Sequence, residues 1–133
     1  MAVGEDPSVV EHNLAVARRV CEAWTVMDLD EYHRLFDAQV DYRNIPLPDD
    51  RHIGPDAVHA VLAAFLVRWD ATLRVDNIAA AGTVVLTERT ESFTHRAGVK
   101  PGFELPVMGV FEFGDGKITA WRDYFERSHL RLR

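Results

Sequence analysis

Near the start of the chain, apolar residues recur every three or four positions. Val9, Val10, Leu14, Val16, Ala17, Val20, Cys21 and Trp24 thereby fall on one face of a helix. Asp6 before Pro7 supplies an N-cap and a first-turn proline, so this helix is expected over residues 7–26. Asp28 caps a short second helix with Leu29, Tyr32, Leu35 and Phe36 on one side. Val40, Tyr42 and Asn44 then alternate with Asp41 and Arg43, the signature of a short strand, which Pro46 and Pro48 end. Asp49 to Ile53 reads as a polar loop. Gly54-Pro55 opens a third helix running to about Arg68, with Val58, Val61, Leu62, Phe65 and Leu66 on its buried face.

From Thr72 onward the period changes to two. Strands are expected near residues 72–80, 83–95, 103–113 and 117–126, with tight turns at Ala81-Gly82 and Gly114-Asp115-Gly116 and a looser one over Arg96 to Gly102. Helices followed by a meander of long strands is the order of an α+β domain. Long antiparallel strands covered on one face by helices curl into a cone whose inner surface is a pocket. No internal repeat interrupts this order, and 133 residues suit one domain spanning 1–133.

Composition narrows the function classes. A hydrophobic share of 47% and a charged share of 27% are those of an ordinary globular protein. A formal charge of -6 argues against a nucleic-acid partner, and Arg127, Arg131 and Arg133 read as a short basic tail at a solvated end. Cys21 is the only cysteine, so neither a disulfide within the chain nor a thiolate cluster is available, and its place on an apolar helical face makes it a core residue. Residues Met1 to Ser8 lack a secretory pattern and no run is long enough to span a membrane, so no membrane partner is expected and the cytoplasm is the expected location. The six histidines show no metal-ligand spacing, and no metal is expected.

The candidate chemistry lies on the strands. Alternation along the last one puts Trp121, Asp123 and Phe125 on one side and Ile118, Ala120, Arg122 and Tyr124 on the other. A carboxylate between two aromatic neighbours is costly unless paired, because desolvation disfavours its charged form. The same rule over 83–95 groups Val85, Thr87, Arg89, Glu91 and Phe93 on one face, and Val84, Leu86, Glu88, Thr90 and Ser92 on the other. Arg89 and Glu91 are then about 7 Å apart along the strand. A planar guanidinium between two acids can hold one on each side of its fork, and if Asp123 is the second acid its burial has a partner. Blander assignments exist for each residue. Arg89 and Glu91 would be an exposed ion pair contributing about 0–1 kcal/mol, Asp123 a rim residue, and Tyr42 and Asn44 a strand-end aromatic and a turn former.

Taken together, Tyr42-Arg43-Asn44-Ile45-Pro46-Leu47-Pro48, Thr87-Glu88-Arg89-Thr90-Glu91, Gly109-Val110-Phe111 and Gly116 through Phe125 resemble the limonene-1,2-epoxide hydrolase family in order and separation. The resemblance extends from about the first helix to Phe125. It implies an NTF2-like cone, a curved mixed β-sheet with N-terminal helices closing a deep pocket, a homodimer and no cofactor. Position by position, Asp123 matches the general base that takes a proton from water, and Tyr42 and Asn44 match the residues that hold that water. Arg89 matches the arginine bridging two acids. Glu91 stands where the family has an aspartate as general acid.

The substrate implied is a small hydrophobic epoxide, with water as the second reactant. Pocket walls would come from Phe65 and Trp69 of the third helix, Phe93, Leu105 and Val107 of the sheet, and Phe125; their ordinary alternative is plain core. No G-x-S-x-G elbow offers the α/β-hydrolase route, and Gly114 to Lys117 is too short for a phosphate loop. The rival expectations are an isomerase or polyketide-cyclase-like enzyme of the same fold, and a non-catalytic protein binding a hydrophobic ligand.

Overall fold

The computed structural model describes residues 6–130, so Arg131 and Arg133 of the basic tail and the first residues of the N-terminal segment lie outside the described residues. The first helix, α1 (Pro7–Ala23), starts as expected, with the Asp6 side chain accepting from the Ser8 backbone N–H. It buries Val16, Ala17, Val20 and Cys21, and ends three residues before the expected limit, where Val26 and Met27 donate back to the Ala23 carbonyl. Asp28 caps α2 (Leu29–Leu35) through the Glu31 N–H. Phe36 is not part of that helix. It opens β1 (Phe36–Asn44), which is therefore longer than the strand expected from alternation.

Two more boundaries differ from expectation. His52 and Ile53, read as loop, form the short strand β2 (His52–Ile53), antiparallel to β1 at Tyr42 and Asp41. The third helix, α3 (Pro55–Leu66), stops before Arg68, and Trp69 belongs to β3 (Trp69–Ala81), paired with His95. Twelve rungs pair β3 with β4 (Val84–His95), so the tertiary ladder overrides the helical spacing that carried the pattern past Leu66. β5 (Phe103–Gly114) and β6 (Lys117–Tyr124) complete the meander, followed by a 3-10 turn at Arg127–His129. No described helix is long and apolar enough to cross a membrane.

The six strands form one sheet in the order β2-β1-β6-β5-β4-β3, with β1 parallel to β6 and the other pairs antiparallel. Register shifts interrupt β1/β6, β3/β4 and β5/β6, and such bulges increase local twist and bend the sheet. The shift in β6 also changes which residues face inward. Ile118 pairs with Phe113 but Ala120 pairs with Glu112, so Thr119 is an extra residue and the alternation restarts after it. Ile118, expected opposite Trp121, is fully buried with it. One face of the sheet packs with the helices into a single core that includes Val20, Trp24, Val58, Val85, Phe111 and Trp121.

On that inner face the register sets Thr87, Gly109 and Asp123 side by side across β4, β5 and β6. A Cβ added at Gly109 would collide with Arg89 Nη1 and lie 2.7 Å from Thr87 Oγ1 and 2.9 Å from Asp123 Oδ1. The missing side chain is thus the gap through which Arg89 reaches β6. Gly109→Ala should lower stability by about 1–3 kcal/mol, as overpacking a filled site does. Urea unfolding would show it as a lower midpoint, and an unchanged midpoint would mean that Arg89 does not cross there.

Candidate active site

Sheet geometry gathers the five predicted site residues. Tyr42 and Asn44 are two apart on β1 and share a face, and the parallel pairing with β6 puts them beside Trp121 and Asp123. Thr87, Arg89 and Glu91 line the inner face of β4, and Arg89 crosses Gly109 to Asp123. Arg89 is 1%, Glu91 7% and Asp123 5% exposed, which removes the exposed-ion-pair and rim alternatives.

The pairing is unequal. Arg89 grips Asp123 with both ends of its fork, Nη1 to Oδ1 at 3.0 Å and Nη2 to Oδ2 at 2.7 Å, and Trp121 Nε1 donates to Oδ1 at 2.8 Å. Two donors therefore occupy Oδ1 and one occupies Oδ2, which leaves an acceptor site on Oδ2. Glu91 is held more loosely, with Oε2 at 3.5 Å from Arg89 Nη2 and 3.3 Å from the donor Trp24 Nε1. Its Oε1 has no hydrogen bond to a described residue. Arg89 Nη1 also reaches Thr87 Oγ1 at 3.4 Å and Cys21 Sγ at 3.8 Å, while Nε is buried without a partner among the described residues.

Burial pushes the Glu91 carboxyl above its ordinary range. Arg89 and Trp24 oppose that, Asp123 adds to it, and the outcome is upward. For Arg89, burial alone favours the neutral form, but the charges of Asp123 and Glu91 outweigh it and hold the guanidinium protonated. Burial, with Asp123 nearby, lifts the Tyr42 phenol well above its usual value, so it stays protonated. Burial pushes the Cys21 thiol up to about 11, consistent with a packing residue rather than a nucleophile. The site thus sets an Asp123 side chain held by three donors, with one acceptor position left on Oδ2, beside a Glu91 carboxyl biased toward its protonated form.

Three residues bonded to the site, Asp50, His52 and Trp24, were not among those predicted. Asp50, inside the expected loop, follows Asp49, which turns through a left-handed φ of 55°, and accepts at Oδ2 from the Asn44 backbone N–H at 2.8 Å and from Asn44 Nδ2 at 3.0 Å. His52 Nε2 is 3.1 Å from the other oxygen of Asp50. Asn44 Nδ2 also lies 3.1 Å from Tyr42 OH. Trp24 was visible only as an apolar helix position. The one signal was that a buried indole N–H needs an acceptor; for Asp50, no periodicity pointed to it.

Trp24, Tyr42, Asn44, Asp50, Glu91 and Asp123 border a cavity of about 230 Å³ whose other walls are largely apolar. Phe65, Phe93, Leu105, Val107 and Phe125 line it as expected, joined by Leu47, Phe103 and Leu130. Trp69 is not on the wall. It stacks behind Phe65 with ring centroids 6.2 Å apart and meets Phe103 and His95 edge-on. Among the described residues, no three or more His, Cys, Asp or Glu side chains are arranged to hold a metal ion.

Known proteins resemble this chain in sequence or in fold to different extents. A stretch of 55 residues is 44% identical to epoxide hydrolase EphG of Mycobacterium tuberculosis (strain ATCC 25618 / H37Rv), and covers 41% of this chain. That match spans about a third, 34%, of the curated relative's length. The solved structure of an M. tuberculosis LEH-like epoxide hydrolase superposes with a TM-score of 0.76 at 27% identity over 90% of this chain and 86% of that one. A protein with a ketosteroid isomerase-like fold from Catenulispora acidiphila DSM 44928 gives a TM-score of 0.75 at 18% identity, covering 86% and 87% of the two chains, and shares the fold alone. The same holds for an NTF2-like protein of Burkholderia pseudomallei K96243, with a TM-score of 0.74 at 20% identity over 88% of this chain and 92% of that one. The profile of the limonene-1,2-epoxide hydrolase catalytic domain matches residues 11–131, and the chain belongs to that family.

Proposed function

We propose that this protein is a cofactor-independent epoxide hydrolase that adds water to a small hydrophobic epoxide to give a vicinal diol in one general acid/base step. The observation that carries this is that Asp123 and Glu91, both paired with the buried Arg89, line one largely apolar cavity together with Tyr42 and Asn44. Water, oriented by Tyr42 and Asn44, gives one proton to Asp123 Oδ2 as its oxygen attacks a ring carbon. As the carbon-oxygen bond breaks, Glu91 delivers a proton from Oε1 to the ring oxygen. Asp123 ends protonated and Glu91 ionised, and a return transfer within the Arg89-linked pair restores the starting state. Holding the water in place contributes by removing its orientational freedom before reaction.

Glutamate suits the acid role here. Its extra methylene lets Oε2 reach the Trp24 indole, and the indole hydrogen bond and the Arg89 ion pair at Oε2 leave Oε1, which has no hydrogen bond among the described residues, to carry the proton. The homodimer is retained in this proposal, supported by Leu86, Met108 and Tyr124, which are exposed on the outer sheet face at neighbouring register positions. Sedimentation should give twice the chain mass, and Met108→Glu should shift it to the monomer.

A panel of small cyclic epoxides in water labelled with heavy oxygen tests the reaction. The diol should carry one labelled oxygen, and Asp123→Asn should cut its formation by about 10²–10⁴. Equal turnover in both proteins would leave only a binding role, and product without label would point to an isomerase or cyclase.

Glu91 provides a separate check. Its folded pKa is raised above the ordinary value, so activity that needs its proton is complete at low pH and lost as pH rises through that raised value. Glu91→Asp should keep residual turnover, with a loss on the order of a hundredfold from misplacement by about 1 Å. Glu91→Gln should abolish turnover together with that basic limb; wild-type turnover in Glu91→Gln would remove Glu91 from the mechanism.

A further inference from the structure

We infer that Asp50 is a positioning residue of this site: it fixes the side-chain amide of Asn44 so that Oδ1, and not Nδ2, is offered to the attacking water. The inference rests on the hydrolytic reading above and adds a residue to it. An asparagine amide turned over occupies the same space but exchanges an acceptor for a donor. Whether Asn44 helps or hinders proton removal from water depends on which end faces it.

Tyr42 cannot settle that choice. Its hydroxyl is 3.1 Å from Nδ2 and 3.4 Å from Oδ1 of Asn44, and a phenol both donates and accepts. Asp50 has no such freedom, because an ionised carboxylate only accepts. Its Oδ2 takes the Asn44 backbone N–H at 2.8 Å and faces the side-chain nitrogen at 3.0 Å, so a turned amide would set two acceptors against each other. His52 Nε2 secures the remaining oxygen at 3.1 Å, which requires the ring to carry its proton there. Burial alone would raise the Asp50 carboxyl, but the bonds from Asn44 and His52 outweigh it and hold the group below its ordinary range. Asp50 is therefore biased toward its ionised, accept-only form.

One consequence concerns all four hydrogen-bonding positions of the water. With both Nδ2 hydrogens committed to Asp50 and Tyr42, the Tyr42 hydroxyl has accepted and turns its own hydrogen outward. The water then meets two acceptors, Asn44 Oδ1 and Asp123 Oδ2, and one donor, Tyr42. Its two hydrogens and one lone pair are fixed, and the second lone pair is left for the ring carbon. With the amide reversed, water would meet two donors and one acceptor, and the attacking lone pair would be occupied.

Asp50→Ala, Asp50→Asn, Asn44→Ala and the double variant Asn44→Ala with Asp50→Ala test this on the epoxide that the wild type opens fastest. Asp50→Ala should lower kcat by about tenfold to a hundredfold with little change in KM, because orientation of a reacting group is lost. Asp50→Asn, which keeps an acceptor oxygen, should restore kcat to within about threefold of wild type on the same orientation argument. In the Asn44→Ala background, Asp50→Ala should have no further effect, whereas a residue that only supports the loop would cost the same in both backgrounds. An additive loss overturns the inference and leaves the hydrolytic reading standing; unchanged turnover in Asn44→Ala removes the water site and the inference with it. On the unaltered protein, a scalar coupling through the hydrogen bond should link Asn44 Nδ2 to the Asp50 carboxyl carbon in NMR spectra. Its absence would overturn the inference even where Asp50→Ala fails to fold.

Discussion

A guanidinium enclosed between two carboxyl groups is the constraint on which the rest depends. Taking these charges out of water is expensive, and removing one partner of such a set typically costs about 3–5 kcal/mol because the others are left uncompensated. The fold meets that demand through sheet register rather than local sequence. Arg89 and Asp123 sit on strands that are not neighbours, with β5 between them, and meet because Gly109 presents no side chain. Any slip by one residue along β4 or β6 would turn one charge outward and leave the other buried. Ion pair and register therefore support each other.

The same three groups bear on the division of labour proposed for the two acids. One cation cannot fully compensate two buried acids, and the hydrogen bonding around it is unequal. Asp123 faces three donors, whereas Glu91 has one charged contact at 3.5 Å and one indole. Burial then weighs more heavily on Glu91. Unequal hydrogen bonding around one arginine thus leaves Glu91 as the more weakly compensated of the two acids, in line with the upward push on its carboxyl.

How much of this was legible in the sequence depended on whether local pattern and tertiary register agreed. Along β4 they do: Thr87, Arg89 and Glu91 face the core as strict alternation requires, so the charged set could be found from the period alone. In β6 a single extra residue, Thr119, breaks the alternation, and the inward position of Ile118 could not be read without the pairing to Phe113. Trp69 continued a helical apolar pattern and was claimed for the cavity wall, yet its backbone pairs with His95. Asp50 lay beyond pattern reasoning altogether, because its role arises from a turn that doubles back on the end of β1. The family resemblance supplied roles for Tyr42 and Asn44 that no periodicity carries, and it had no place for Asp50.

The substitution of glutamate for aspartate at position 91 looks like a defect when the site is treated as a template and reads differently against its surroundings. Trp24, from the end of α1, brings a buried indole N–H that needs an acceptor within reach. A side chain one methylene shorter would strand that donor as well as shift the acid. With glutamate, the indole is satisfied at 3.3 Å, and the helix layer becomes tied to the acid at the cavity floor. The longer acid and the hydrogen-bonding wall residue make up a unit. The identity of the acid is thus set as much by the helix that covers the sheet as by the strand that carries it.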